Sequence, residues 1–414
     1  MSTPFETHWH LLNDAMQARC SRGYWSAFSE VPRTYGEGAA NDGQAAFTAL
    51  LSKPFDLGPS QGRRVGDEIS PFGLKLGIAY AAPPTAALIR SAKTAAQGWA
   101  AASPETRTGI ALESLVRLNR ASFVIAHAVE HATGQAFPMA FQAGGPHAQD
   151  RGLEAVAYAF AEMTVVPRTA RWEKPAGRSS IRLDKEFHIV PRGIGLVVGC
   201  ATFPTWNSYP AIFANLVTGN TVIVKPHPAA ILPLALTVRI IREVLTEQDI
   251  DPNVVQLAVD TIEQPLTKEL AADPAIAMVD FTGSSAFGGW LRENLRDKLV
   301  FTEEAGVNTV VIDGTDSFAA MCSNIAFSLC LYSGQMCTTP QAIFVPRDGI
   351  DTDEGHKSFD EVARALAAAI DDLLADPARA AGVLGAIQNP ATLARIAAAR
   401  ALGRVVRESA PLPV

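Results

Sequence analysis

A chain of 414 residues is too long for one small core and predicts two or three domains. Its 48 % hydrophobic and 19 % charged content is ordinary for a folded soluble enzyme and excludes a disordered chain. A net charge of −7 and a pI of about 5.7 leave no basic stripe for a polyphosphate backbone, which argues against nucleic-acid binding.

Cysteine usage and the chain start point the same way. The five cysteines, Cys20, Cys200, Cys322, Cys330 and Cys337, are odd in number, irregularly spaced and contain no CxxC. A disulfide framework or structural zinc site is therefore not expected, and a reducing cytoplasm is. The start "MSTPFETHWH" lacks a basic n-region followed by an apolar run. The longest apolar run, "AAILPLALTV", is broken by Arg239 and is too short to span a bilayer, so no membrane partner is expected.

In chain order, residues 1–75 read as an N-terminal extension, rich in Gly, Pro and aromatics with weak periodicity. A helix follows in "PPTAALIRSAKTAAQGWAAAS", where Leu88, Ala92, Ala95 and Trp99 recur at helical spacing. A second helical region covers 107–134, with Gly134 suited to cap its end. From residue 193 the pattern is regular. "GIGLVVGC", "TVIVKP", "NVVQLAV", "IAMVDFTG" and "KLVFTEE" read as strands, with amphipathic helices between them. Strand and helix alternate without a break, so the economical fold is α/β, a parallel sheet with crossover helices. Ligands of such sheets lie at the carboxyl ends of the strands. "NTVVID" opens a second strand–helix pattern, with a helix through Cys322 and Cys330 to Ser333, then the strand "QAIFVP" and helices at 358–374 and 391–403.

Four stretches could carry chemistry. In "FTGSSAFG", Gly283 permits close backbone approach, and Ser284 can cap a helix or donate to a phosphate. Alone this reads better as an ordinary strand–helix turn, and it is not a GxGxxG. In "VIVKPHP", Lys225 ends a strand where it could reach a phosphate or ribose, although a solvated lysine is commoner there. In "FTEEAGVN", Glu303 and Glu304 end a strand at the same crevice, either as a general base or as a surface pair. In "SGQMCTTPQ", Cys337 is either a nucleophile or a small residue at a helix–loop junction. Its neighbours Gln335, Thr338 and Thr339 fit a buried apolar position less well than those of Cys322 and Cys330.

Together, and in this order, KP, FTGS, E-x-G and GQ-x-C resemble the aldehyde dehydrogenase superfamily from about residue 80 onward. The stretches "AFQAGGPHAQDRGLEAVAYA", "CATFPTWN", "KPHP", "AGVNTVV" and "LYSGQMCTTPQ" resemble its phenylacetate-degradation PaaN subfamily. The resemblance implies an aldehyde-dehydrogenase-like fold, with a Rossmann-type cofactor domain over 76–303 and a second α/β catalytic domain over 304–414. It implies oxidation of an aldehyde to an acid through a cysteine thiohemiacetal and thioester. By position Cys337 is the nucleophile and Glu304 the base, with Glu303 the base if the alignment slips by one. Lys225, Gly283, Ser284 and Gly288 match cofactor-binding positions. The expected substrate is a ring-opened, CoA-linked semialdehyde, and a full-length chain is expected to form a homo-oligomer.

Three departures qualify this reading. The oxyanion asparagine of the family aligns with Thr202, counted back from Gly219-Asn220, and Asn207 is the alternative. The ribose-binding glutamate three positions after the lysine is replaced by Pro228, which favours NADP over NAD, with His227 assisting. Only 77 residues follow Cys337, so a shortened catalytic domain is expected (414 − 337 = 77). Two alternatives stand beside the subfamily reading: an aldehyde dehydrogenase of other substrate range, and an impaired chain that keeps only cofactor binding. His147, Asp150 and Arg151 could face a substrate tail, although a polar helix start after Pro146 explains them equally.

Overall fold

The computed structural model describes residues 2–58 and 63–412. The N-terminal region holds more helix than its weak periodicity suggests: α1 (Trp9–Ser21) and α2 (Ala39–Thr48). Each buries only two residues, Leu12 and Ala15 in α1 and Gly43 and Phe47 in α2, so neither has a broad apolar stripe to read. In α3 (Thr85–Ala101), Leu88, Ala92, Ala95 and Trp99 are buried, as their spacing predicts. The region 107–134 divides into α4 (Pro104–Arg120) and α5 (Ser122–Thr133), because Ala121 leaves helical geometry at φ −90° and ψ 8°. No Gly or Pro marks that break. Gly134, with φ 77°, ends α5 in the left-handed conformation that glycine adopts without strain. Helices α6 (Phe137–Gly144) and α7 (Pro146–Thr164) follow. An exposed antiparallel hairpin, β1 (Thr169–Ala176) and β2 (Ser179–Glu186), comes next and was not expected, since both faces are solvated and its apolar residues do not alternate cleanly.

The expected parallel sheet is present. Its strands are β3 (Ile194–Val198), β4 (Thr221–Lys225), β5 (Val255–Leu257), β6 (Ile276–Gly283) and β7 (Leu299–Glu304), in spatial order β5-β4-β3-β6-β7, all parallel. The crossovers are α8 (Pro204–Val217), α9 (Leu232–Glu247), α10 (Thr267–Ala272) and α11 (Ser285–Asn294). Two apolar layers cover the sheet. Val197, Val222 and Val224 pack with α8 and α9 on one face; Leu196, Ile223 and Val279 pack with Leu88 of α3, Leu270 of α10 and Leu291 of α11 on the other. Every residue of β3 and β4 is buried, which explains their unbroken apolar runs. The chain winds outward from β3 through β4 to β5, then returns to place β6 on the other side of β3. That reversal opens a crevice at the carboxyl ends of the strands, where Thr202, Lys225, Gly283, Glu303 and Glu304 lie.

A second, smaller layer follows. Strand β8 (Asn308–Val311) pairs in parallel with β9 (Pro340–Phe344). Helices α12 (Phe318–Cys330) and α13 (Phe359–Leu374) enclose a core of Ile312, Phe318, Cys322, Ile325, Val362 and Leu366. The helix expected to run to Ser333 stops at Cys330, because Tyr332 and Ser333 take left-handed backbone angles, both with φ 52°. Among the described residues no helix is long and apolar enough to cross a membrane.

Candidate active site at the strand ends

The loop carrying Cys337 is held from three sides. The Tyr332 hydroxyl donates to the Thr133 carbonyl at 2.5 Å, and the Ser333 hydroxyl donates to the Gly385 carbonyl at 2.7 Å. Gln335 donates to the Ala386 carbonyl at 3.0 Å and accepts from the Gln388 N–H at 2.8 Å. Asn308, on β8, donates to the Cys337 carbonyl at 2.5 Å. Gly306 permits this approach, since a Cβ there would meet the Cys337 carbonyl oxygen at 2.5 Å. Two left-handed non-glycine residues in one turn cost roughly 1–2 kcal/mol each, and these anchors hold them in place. Cys337 itself is exposed, whereas Cys200, Cys322 and Cys330 are buried.

The two adjacent glutamates diverge because successive strand residues point to opposite faces. Glu304 turns toward α11, where Arg292 pairs with it and also donates to Thr302 Oγ1 at 2.9 Å. Arg292 holds the Glu304 carboxyl below its ordinary range. A side chain at Gly288 would collide with Glu304, so that glycine makes room for the carboxylate. Glu303 points the other way, into the neighbourhood of Cys337 and Asp280. Burial, and then the Glu303 charge, push the Cys337 thiol up from its ordinary value, while Arg151 opposes them. Burial and Glu303 push Asp280 up to about 7, again against Arg151. Neither Asp280 nor the Arg151 contact was expected, since both depend on which face of a strand or helix meets the crevice.

Arg151 separates from its neighbours in sequence. Its guanidinium lies 3.7 Å from the centre of the Trp206 ring, and its Nε donates to the Trp206 carbonyl at 3.2 Å. Asp150 instead accepts from the Ser26 hydroxyl at 2.6 Å and the Ala27 N–H at 3.0 Å, and His147 pairs with Glu30 at 2.5 Å. Those two pin the N-terminal region. Arg151 also lines a 450 Å³ cavity between α1 and α7, with Arg19, Arg22, Trp25, Glu154 and Tyr158.

The Thr202 carbonyl accepts from Gln135 Nε2 at 2.7 Å, and its hydroxyl makes only a 3.7 Å contact with Cys200 Sγ. Asn207 is buried; its Oδ1 accepts from the Cys200 thiol at 3.7 Å and its Nδ2 has no partner. Both adjoin a small cluster of Cys200, Phe203 and Tyr332 against which Met336, next to Cys337, packs.

At the other end of the crevice, Lys225 is not a solvated lysine. Its side chain is 4 % exposed, and its Nζ lies 2.6 Å from Asp260 Oδ1. Burial lowers the lysine's pKa, and Asp260 opposes that. Burial, aided by the Lys225 charge, pushes His227 down to about 4, so its imidazole is neutral, with Nδ1 accepting from the Ala229 N–H at 3.1 Å. Ser284 caps α11, accepting from the Phe287 N–H at 3.4 Å, and no side chain would fit at Gly283 beside the Phe281 ring. The glycine at 283 and the helix start at Ser284, at the strand's carboxyl end, fit a dinucleotide lying along these ends.

Residues 79–405 match the model of the aldehyde dehydrogenase family. The chain superposes on the crystal structure of an NAD-dependent aldehyde dehydrogenase from Burkholderia multivorans with a TM-score of 0.94 and 55 % identity, over 97 % of this chain and 74 % of that one. Aldehyde dehydrogenase C from Pseudomonas syringae, solved with NAD+ and octanal, shares the fold at a TM-score of 0.62 and 21 % identity, over 82 % of this chain and 65 % of that one. A 1-pyrroline-5-carboxylate dehydrogenase from Bacillus subtilis (strain 168) is 29 % identical over 174 residues, 40 % of this chain and 33 % of that enzyme. The matched segment thus spans about a third of the length of the curated relatives. The match across most of the chain, together with a cysteine loop and a strand-end glutamate facing one crevice, establishes that the chain belongs to the aldehyde dehydrogenase family.

Proposed function

We propose that this protein oxidises an aldehyde to a carboxylic acid with NAD or NADP, using Cys337 as nucleophile and Glu303 as general base. The observation that carries this reading is the divergence of the glutamate pair. Glu304 is engaged by Arg292, whereas the Glu303 charge is felt at the Cys337 thiol. The base thus moves from Glu304, the position first aligned with the family glutamate, to its neighbour. Lys225, Gly283, Ser284 and Gly288 frame the cofactor, which when bound supplies the acceptor for the hydride leaving the substrate carbon.

The residues divide the remaining work. Glu303 takes the thiol proton as Cys337 Sγ bonds to the aldehyde carbon, and the carbonyl oxygen becomes an alkoxide. Thr202 donates to that oxygen, since its hydroxyl holds only a long thiol contact that it can leave; Asn207, with its unpartnered Nδ2, is the alternative donor. Once the carbon reaches the acyl level, Glu303, having released the thiol proton to solvent, accepts a proton from water as the water oxygen attacks, and the S–C bond breaks with Cys337 leaving as the thiolate. For substrate we propose a ring-opened, CoA-linked semialdehyde. The subfamily motifs support it.

The test follows reduced cofactor with a small aldehyde and with a CoA-linked semialdehyde. Turnover by wild type and by Glu304→Gln, with loss in Cys337→Ser and Glu303→Gln, supports the assignment. Cofactor binding with no turnover by wild type overturns it in favour of a binding module.

A further inference from the structure

The end of α5 holds two parts of the site at once. Thr133, Gly134 and Gln135 follow one another where that helix stops, and each serves a different partner. The Thr133 carbonyl accepts from the Tyr332 hydroxyl at 2.5 Å, at the base of the cysteine loop. The Gly134 carbonyl accepts from the Ala386 N–H at 2.8 Å, in the segment that also receives Ser333 and Gln335. Gln135 Nε2 donates to the Thr202 carbonyl at 2.7 Å, on the loop between β3 and α8. Thr133, Gln135 and Tyr332 are buried. The turn is itself fixed, since the Thr133 hydroxyl donates to the Val129 carbonyl at 2.8 Å and accepts from the Gln135 N–H at 3.2 Å. The reaction steps leave Gln135 unused. Its Oε1 has no partner among the described residues, so the Thr202 bond is the one directed contact that its side chain makes there.

We propose that Gln135 is a positioning residue for the reaction, setting the Thr202 hydroxyl at the place where the alkoxide forms, in fixed relation to Cys337. The proposal rests on the reading that Thr202 stabilises the alkoxide. Two features of the geometry carry it. The Thr202 hydroxyl has only the 3.7 Å contact with Cys200 Sγ to hold it, so its place is decided by its backbone. That backbone is fixed on one side by the Phe203 N–H, which donates to Cys200 Sγ at 3.3 Å, and at the Thr202 carbonyl by Gln135. A hydrogen bond away from water keeps more of its strength, and leaving a buried carbonyl unpaired is costly. The Thr202 loop therefore stays where Gln135 holds it. The same turn grips Tyr332, so the oxyanion donor and the nucleophile share one anchor, and their separation does not depend on two independently moving loops. Oxyanion donors act by being in place before charge develops, so such an anchor serves rate rather than substrate binding. Gln135 acts through Thr202 and takes no part in proton transfer.

The test is a double-mutant cycle on the 414-residue protein, read by steady-state kinetics with propanal and NAD or NADP. Thr202→Ala is expected to lower kcat by about 10²–10³. Gln135→Met, which keeps the volume and removes the donor, is expected to lower kcat by at least about tenfold with KM unchanged. In a Thr202→Ala background the same change at Gln135 should cost less than about twofold further, because the hydroxyl it places is gone. Alkylation of Cys337 by iodoacetamide should keep its wild-type rate in Gln135→Met, since Tyr332 still holds the cysteine loop through the Thr133 carbonyl. Gln135→Asn keeps an amide but draws the donor back by one methylene; it should show the same loss, and it decides if Gln135→Met does not fold. Wild-type kcat in the Gln135 variants, a loss that adds in full to that of Thr202→Ala, or slowed alkylation of Cys337 overturns the proposal while leaving Thr202 as the donor. Wild-type turnover by Thr202→Ala removes Thr202 as the donor and the proposal with it, as does absence of turnover by wild type.

Discussion

At the scale of single residues, the site works by opposing charges on one thiol. Burial and Glu303 keep Cys337 protonated at rest, and the Arg151 guanidinium, seated on Trp206, pulls the other way. Alkylation of Cys337 by iodoacetamide, followed against pH, should therefore show a midpoint above that of an ordinary cysteine. Glu303→Gln should lower that midpoint and Arg151→Met should raise it. Glu303→Gln should also cut turnover by about 10²–10⁴, the range for a positioned general base, with Glu304→Gln far less costly. His227 gives a separate signature. Its folded pKa of about 4 lies below the value near 6.5 expected for an unfolded histidine, so the unfolded state binds the extra proton. Stability is thus complete above pH 6.5 and falls as pH drops toward 4, by up to roughly 3 kcal/mol. Denaturant melts of wild type and His227→Asn should diverge as pH falls from 6.5 toward 4, with wild type losing stability that the variant keeps, because asparagine can accept from the Ala229 N–H without titrating.

At the scale of elements, the site is a set of strand ends with one loop laid across them. The cysteine loop is pre-set by left-handed Tyr332 and Ser333 and by the close passage of Gly306. Gly306→Ala should press a methyl group on the Cys337 carbonyl. A fall in kcat of at least about tenfold with little change in melting temperature is expected, since misplacing a reacting atom by 1 Å can cost 10²-fold. An unchanged kcat would show that the loop tolerates displacement. Element types here were largely legible: apolar runs of five residues bounded by turn residues gave β3 and β4, and the spacing of Leu88, Ala92, Ala95 and Trp99 gave α3. The break at Ala121 and the exposed hairpin β1–β2 were not, because no turn residue marks the break and no alternating apolar face marks the hairpin strands on either side of Gly177.

At the scale of the whole molecule, the N-terminal region is tied to the sheet through buried polar contacts. Glu68 accepts from the Tyr80 hydroxyl at 2.6 Å and from the N–H groups of Ile231 and Leu232, at 2.6 and 3.0 Å, where α9 begins. Burial pushes this carboxyl above its ordinary value, and the three donors act against that. Glu68→Ala strands those donors and should destabilise the fold by about 1–3 kcal/mol, read by denaturant melts with far-ultraviolet dichroism. The same region meets α7 through Asp150, so Asp150→Ala should make the 22–38 segment the first site of limited proteolysis.

By itself the sequence determined which chemistry was available and in what order along the chain. The strand–helix alternation, the turn at Gly283-Ser284, the paired glutamates and the exposed-type setting of Cys337 are all local, and local patterns survive in one dimension. Tertiary structure decided which glutamate faces the thiol, because a one-residue step along a strand reverses a side chain's direction. It decided that His147 and Asp150 hold the N-terminal region while Arg151 turns to the site, because a helix distributes neighbouring residues around its axis. It also brought Asp260 to Lys225, because parallel pairing places side by side two strand ends that lie far apart in the chain.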